Sequence, residues 1–150
     1  MNAIKLCWSL VVMLLFVFQA HSQFTILENT VVQVGSDIDL ISQSNVTNNG
    51  TFSFGESTFI LDASLTNTGT INLSEATLKL GTVNSTGSYV LNFSEAQPID
   101  VRQLILESNS ASFTADVTSA GSLRVIGSLE SISGTLNANE KIIILKPLRR

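Results

Sequence analysis

Apolar and polar residues alternate in short bursts along most of the chain. In Thr51–Phe54 and Thr58–Leu61 every second residue is Phe or Leu, and Thr70–Leu73 and Thr77–Leu80 follow the same rule. A period of two lines one face of an extended strand with the apolar side chains. The bursts are separated by Asn, Gly, Ser and Glu, several of them residues that favour turns. Further strands are predicted at Tyr89–Phe93 and Val101–Glu107, and two short ones between Phe24 and Ile41 on either side of Gly35. Beyond Ser112 come four or five more, broken at Gly121, Gly127 and Gly134. Good helix formers in a 3.6-residue pattern are missing, so the chain from residue 23 onward reads as all-β.

The bursts also repeat. Shifting residues 48–61 by 19 positions lays Asn48 on Asn67, Gly50 on Gly69, Thr51 on Thr70, Glu56 on Glu75 and Thr58 on Thr77. Phe52 then falls on Ile71, Phe54 on Leu73, Phe59 on Leu78 and Leu61 on Leu80. An altered third copy is read at Leu91–Ala96, where LNFSEA matches the INLSEA of Ile71–Ala76, with about two extra residues after Gly87. A fixed period predicts a right-handed parallel β-helix, a β-solenoid with coils of about 19–20 residues stacked at the strand spacing. The alternative is a β-sandwich, whose hairpins need no fixed period. In the solenoid Phe54, Leu73 and Phe93 form one inward column, and Phe59 and Leu78 another. Asn48 and Asn67 stack at a corner, where side-chain amides bond from coil to coil.

The first 22 residues read as a leader. Lys5 precedes the uncharged run Leu6–Phe18, and Ala20 and Ser22 stand where a signal peptidase reads small residues, so cleavage is expected after Ser22. The run is about 13 residues, short of the roughly 20 that span a bilayer as a helix. A single solenoid domain at residues 23–150 is the expected organisation, with no membrane span once the leader is removed. Cys7, Trp8, His21, Met1 and Met13 all lie within the leader, so residues 23–150 contain no Cys, Trp, His or Met. That segment has seven basic residues against twelve acidic, a balance that disfavours nucleic acid as a partner.

The phrases VTNNGTFSF and LTNTGTINL, with GSLESISGTLNANEKIIIL (Gly127–Leu145), resemble repeats in large secreted surface proteins of Bacteroidetes. The resemblance covers most of residues 45–145. It implies a filamentous-haemagglutinin-like parallel β-helix and an adhesin-like place at the cell surface, in a stalk or passenger region. It also implies a C-terminal sorting domain, for which the stretch after Leu145 (KPLRR) leaves no room. The β-branched run Lys141–Leu145 is followed by Pro147 and a basic tail; these act as a crude stop, or, as expected here in preference, the natural chain continues with further coils or is truncated.

Without His or Cys, residues 23–150 lack a Ser–His or Cys–His pair for acyl transfer and the usual zinc ligands. Carboxylate chemistry of the glycosidase kind would have to draw on Asp37, Asp39, Asp62, Asp100 and Asp116, with Arg102 or Arg124 as a positive partner. These acids are scattered singly, as on a solvated surface, so no catalytic residue and no cofactor is expected. Glu56, Glu75 and Glu95 share a repeat position and form a candidate cation-binding column, read more simply as glutamates on solvated turns. Asp37-Ile38-Asp39 superficially matches a calcium loop but lacks the glycine and bidentate Glu that such a loop needs. Asn45, Asn49, Asn72, Asn84 and Asn92 head Asn-x-Ser/Thr sequons, which a chain this rich in Asn, Ser and Thr produces by chance. Tyr89 is the one aromatic outside the core pattern that a sugar could stack on. The expected partners are surface glycans or further β-helix coils of a larger protein.

Overall fold

The computed structural model describes residues 23–94, 98–108, 114–117, 121–137, 139 and 142–144. Residues 1–22, read above as a leader, and Glu95, Lys141 and Pro147 lie outside the described residues. The first coil holds β1 (Phe24–Ile26), β2 (Val31–Val34) and β3 (Asp39–Ser42). The second holds β4 (Val46–Asn48), β5 (Thr51–Phe54) and β6 (Thr58–Leu61), and the third β7 (Leu65–Asn67) and the long β8 (Thr70–Leu80). Then come β9 (Ser88–Phe93) and β10 (Ile99–Leu106), followed by β11 (Thr114–Val117) and β12 (Leu123–Ser131). The last pair is β13 (Thr135–Asn137) and β14 (Ile142–Ile144).

Strands from successive coils pair in parallel on three faces. One sheet runs β1-β4-β7-β9-β11-β13, and a second runs β2-β5-β8-β10-β12-β14. The third face is β3 on β6 on the C-terminal half of β8, continued by the C-terminal halves of β10 and β12. The fold is a parallel β-solenoid, with no helix among the described residues. A sandwich is overturned, because every strand pairing among the described residues is parallel and joins neighbouring coils. The coils have a third side that the alternating bursts did not show: VTN and LTN, just ahead of the Gly50 and Gly69 turns, are the short strands β4 and β7. Gly35 parts β2 from β3, and β1 precedes them, so the two strands expected between Phe24 and Ile41 are three.

The 19-residue register holds on all three faces between the second and third coils, whereas from the first coil Phe24 pairs with Val46, 22 positions on, and Val31 with Thr51, 20 on. Val46 pairs with Leu65, Thr51 with Thr70 and Thr58 with Thr77, each 19 positions on. It then lengthens to 26 at the pairs Leu65–Leu91 and Thr77–Gln103, so coils of 19–20 residues describe only part of the molecule. The extra length enters in the loop from Gly81 to Gly87, whose glycines both take the left-handed region (φ 81° and 92°) that L side chains rarely adopt. This insertion corrects the third repeat. Leu91, Asn92 and Phe93 register with Leu65, Thr66 and Asn67 on the first face, not with Ile71–Leu73 on the second. Leu73 stacks on Val101 instead, and Phe93 continues the asparagine column.

A phase switch in the alternation turns each coil from its second face to its third. Phe52 and Phe54 point inward, Gly55 and Glu56 do not, and inward pointing resumes at Ser57, Phe59 and Leu61. In β8 the same switch passes from Ile71 and Leu73, over Ser74-Glu75, to Ala76, Leu78 and Leu80. In β10 it passes from Ile99 and Val101, over Arg102-Gln103, to Leu104 and Leu106. Two consecutive outward residues invert the parity of the strand, which lets the chain bend while keeping apolar side chains inside. The core is thus one continuous filling, centred on Phe52, Phe54 and Phe59 with ring centroids 4.5 to 5.5 Å apart. Such aromatic contacts add to the burial term itself.

Candidate functional site

The turn from first to second face is built by asparagine. Asn48 and Asn67 are 0% and 1% exposed, and the Asn48 Nδ2 donates to Asn67 Oδ1 at 2.6 Å and to the Thr70 carbonyl at 2.9 Å. Asn48 Oδ1 accepts from the Gly50 amide at 3.2 Å, and Asn67 Nδ2 donates to the Gly69 carbonyl at 2.9 Å. Buried amides need such partners, and here the backbone of the turn supplies them. The ladder ends where Ile26 and Phe93 take the same column on either side. Gly69 stacks so closely on the Gly50 backbone that a Cβ there would strike the Gly50 carbonyl. The stacking of Asn48 on Asn67 follows the sequence reading, and its role is architectural.

The turn from second to third face gathers the charged residues. Asp37, Asp39, Glu56, Glu75 and Arg102 line one open groove of about 440 Å³, with Ser57 and Thr58. Arg102 donates to Glu56 Oε1 at 3.0 Å, with both side chains largely exposed. Glu56 and Glu75 therefore share a column as expected. The next coil supplies Arg102 at the switch position, and the third glutamate of the expected column, Glu95, lies outside the described residues. The parity switch in IDVRQLIL was the signal for Arg102: apolar positions change from odd to even across it. Among the described residues, no group of three or more acidic, His or Cys side chains converges tightly enough to hold a metal ion.

The remaining candidates are dispersed. Asp62 accepts hydrogen bonds from Tyr89 Oη at 2.6 Å and from Ser85 Oγ. Ser85 is also tied to Thr82 and, through its carbonyl, to Ser108, so the cluster fastens the inserted loop to the coils beside it. Burial and the Asp62 hydrogen bond raise the Tyr89 phenol above its ordinary pKa of 10.0. Tyr89 is thus half-buried and engaged, not an open platform for sugar stacking. Asp100 and Arg124 form a bidentate pair at 2.6 Å across neighbouring strands, and the Asp100 hydrogen bonds raise the guanidinium pKa further. Asp116 lies on β11. The acids named for carboxylate chemistry therefore fall in separate places, apart from Asp37 and Asp39 in the groove. The five sequon asparagines are all exposed, and three accept hydrogen bonds from nearby backbone or hydroxyl groups.

No protein-family model, curated protein or solved structure matches the chain. What its residues do is therefore read from their own chemistry.

Proposed function

We propose that the chain is an exported, non-enzymatic β-solenoid that serves as a structural or adhesive segment at the cell surface. One observation carries this reading: the positions repeated in register are spent on stacking. Phe52 on Ile71, Phe59 on Leu78 and Asn48 on Asn67 build the rod, and the outward repeats Thr47 on Thr66, Thr51 on Thr70 and Thr58 on Thr77 extend its strand ladders. A rod of this kind presents a long lateral surface. The leader at residues 1–22 supports export, and the resemblance to Bacteroidetes surface repeats supports an adhesin-like role. The partners that fit are surface glycans or further coils of a larger protein.

A second reading, a carbohydrate-binding or polysaccharide-cleaving β-helix, draws on the groove where Asp37, Asp39, Glu56 and Glu75 lie beside Arg102. Incubation of the purified chain with a polysaccharide panel separates the two. The structural reading expects retention on some surface or glycan without release of new reducing ends. Reproducible release that Glu56→Gln or Asp39→Asn abolishes would replace it with the enzymatic one.

A further inference from the structure

Asn49 and Gly50 form the one Asn-Gly pair in the chain. Asparagine is a thermolabile residue, and glycine after it makes loss of the side-chain amide easiest, because no Cβ hinders attack by the glycine nitrogen. In the next repeat the same position is Thr68, so Asn67-Thr68-Gly69 keeps the turn without the reactive pair. The corner can therefore be built without Asn49, and its chemistry is a property added to the stack.

Asn49 is open to solvent at its side chain and held at its backbone. The side chain is exposed, with Oδ1 accepting from the Thr68 hydroxyl at 2.6 Å. Its own amide donates to the Ile26 carbonyl at 2.9 Å, and the Gly50 amide donates to the buried Asn48 Oδ1 at 3.2 Å. The Gly50 carbonyl accepts from the Thr70 amide, and the Thr51 amide donates to the Thr30 carbonyl, both at 2.8 Å. The coils on either side close on the same peptide. A Cβ at Gly50 would strike the Leu27 and Thr30 carbonyls. A Cβ at Gly69 would strike the carbonyl carbon of Asn49 and both the nitrogen and the carbonyl oxygen of Gly50.

Deamidation needs a motion that this packing denies. The Gly50 nitrogen must swing onto Asn49 Cγ, so its bond to Asn48 Oδ1 must break and the peptide must rotate in the space that Leu27, Thr30 and Gly69 close off. We propose that Asn49 is a deamidation site caged by the stack, inert while the corner is closed and reactive when it opens. The attack forms a bond from Gly50 N to Asn49 Cγ and breaks the bond from Cγ to Nδ2. That nitrogen leaves as ammonia, carrying the proton of the Gly50 amide. Water then opens the cyclic imide, its hydroxyl going to a carbonyl carbon and its proton to the Gly50 nitrogen. Opening at Cγ gives aspartate. Opening at the main-chain carbonyl gives isoaspartate, in which the backbone runs through the former side chain and is longer by one methylene. The lengthened link cannot keep the Gly50 carbonyl on the Thr70 amide while Gly69 lies against it, so the isoaspartyl product records an opening that does not reverse. The inference rests on the corner alone and is independent of any glycan or surface role.

The test incubates the purified chain in mildly alkaline buffer, folded and in urea above its unfolding transition. Peptide mapping by mass spectrometry counts conversion at Asn49, and enzymatic methylation counts isoaspartate. Conversion should be slower in the folded chain by at least about tenfold, because it waits on local opening of the corner. Below the unfolding transition the rate should rise with urea as the opened fraction rises. Asn48→Ala, which removes the acceptor of the Gly50 amide, should speed conversion in the folded state by about tenfold. Circular dichroism shows whether that variant is folded, and if it is not, the urea series on the parent chain decides. On return to buffer, isoaspartyl chains should stay outside the folded fraction. Asn49→Asp should fold and melt close to the parent, since its carboxylate replaces an exposed amide and still accepts from Thr68. The proposal is overturned by equal rates in the folded and unfolded chain, by no conversion at Asn49 in urea, or by isoaspartyl chains that melt like the parent. Failure of Asn49→Asp to fold would overturn it as well, by making the new charge and not the added methylene the cause of the lost stack.

Discussion

Replacing Asn48 by Ala removes three hydrogen bonds from a corner that water does not reach at the side chain. The lost bonds are those to Asn67 Oδ1 at 2.6 Å, to the Thr70 carbonyl at 2.9 Å and from the Gly50 amide at 3.2 Å. At a net worth of about 1 kcal/mol each, Asn48→Ala should cost about 3 kcal/mol. Asn67→Ala also loses the bond between the two amides, together with its own bond to the Gly69 carbonyl at 2.9 Å. The double variant loses the shared bond only once, so it should be less destabilised than the sum of the singles by about 1 kcal/mol. Urea unfolding followed by circular dichroism measures all four proteins of this cycle. Strictly additive single effects would refute the ladder as a coupled unit. A loss below about 0.5 kcal/mol for Asn48→Ala, the size of an ordinary surface change, would refute its structural weight.

Phe59→Ala empties the middle of the aromatic cluster, where Phe59 is 0% exposed, and should cost about 3–5 kcal/mol in the same urea assay. Gly69→Ala drives a methyl group into the Gly50 carbonyl, and thermal melting should show a loss of about 3 kcal/mol. Arg102→Ala breaks a pair whose side chains are 57% and 68% exposed, so its stability should stay within about 0.5 kcal/mol of the parent. Tyr89→Phe removes a hydrogen bond to a carboxylate and should cost about 1.5 kcal/mol at neutral pH. Because the folded state holds the phenol above its ordinary 10.0, that contribution is complete below pH 10 and declines as pH rises through the raised value. Melting curves at increasing alkaline pH should therefore show the parent losing stability that Tyr89→Phe does not lose.

Residues 48–80 disclosed much of this architecture because equal spacing and equal side chains coincide there. Stacked parallel strands place like residues over like, so Phe59 on Leu78 and Asn48 on Asn67 were readable as pairs before any coordinates. The number of sides was less legible. VTN and LTN are three-residue strands whose inward Asn residues look like turn formers, and only the buried ladder shows them pointing into the core. The acidic corner was half legible: Glu56 and Glu75 share a repeat position, whereas Arg102 joins them from a coil of different length.

The near-identical strings INLSEA and LNFSEA mark the boundary between the two kinds of information. Alternation and composition by themselves determined that both segments are strands with inward apolar residues, and that the chain has neither Cys nor His after residue 22. Tertiary structure alone decided that INL stands on the second face and LNF on the first. The physical reason is that a strand's own pattern sets which side chains face the core, while its face depends on the chain length spent since the previous coil. The loop from Gly81 to Gly87 changes that length, and the hydrogen bonds of Ser85 and Tyr89 to Asp62 hold it in place.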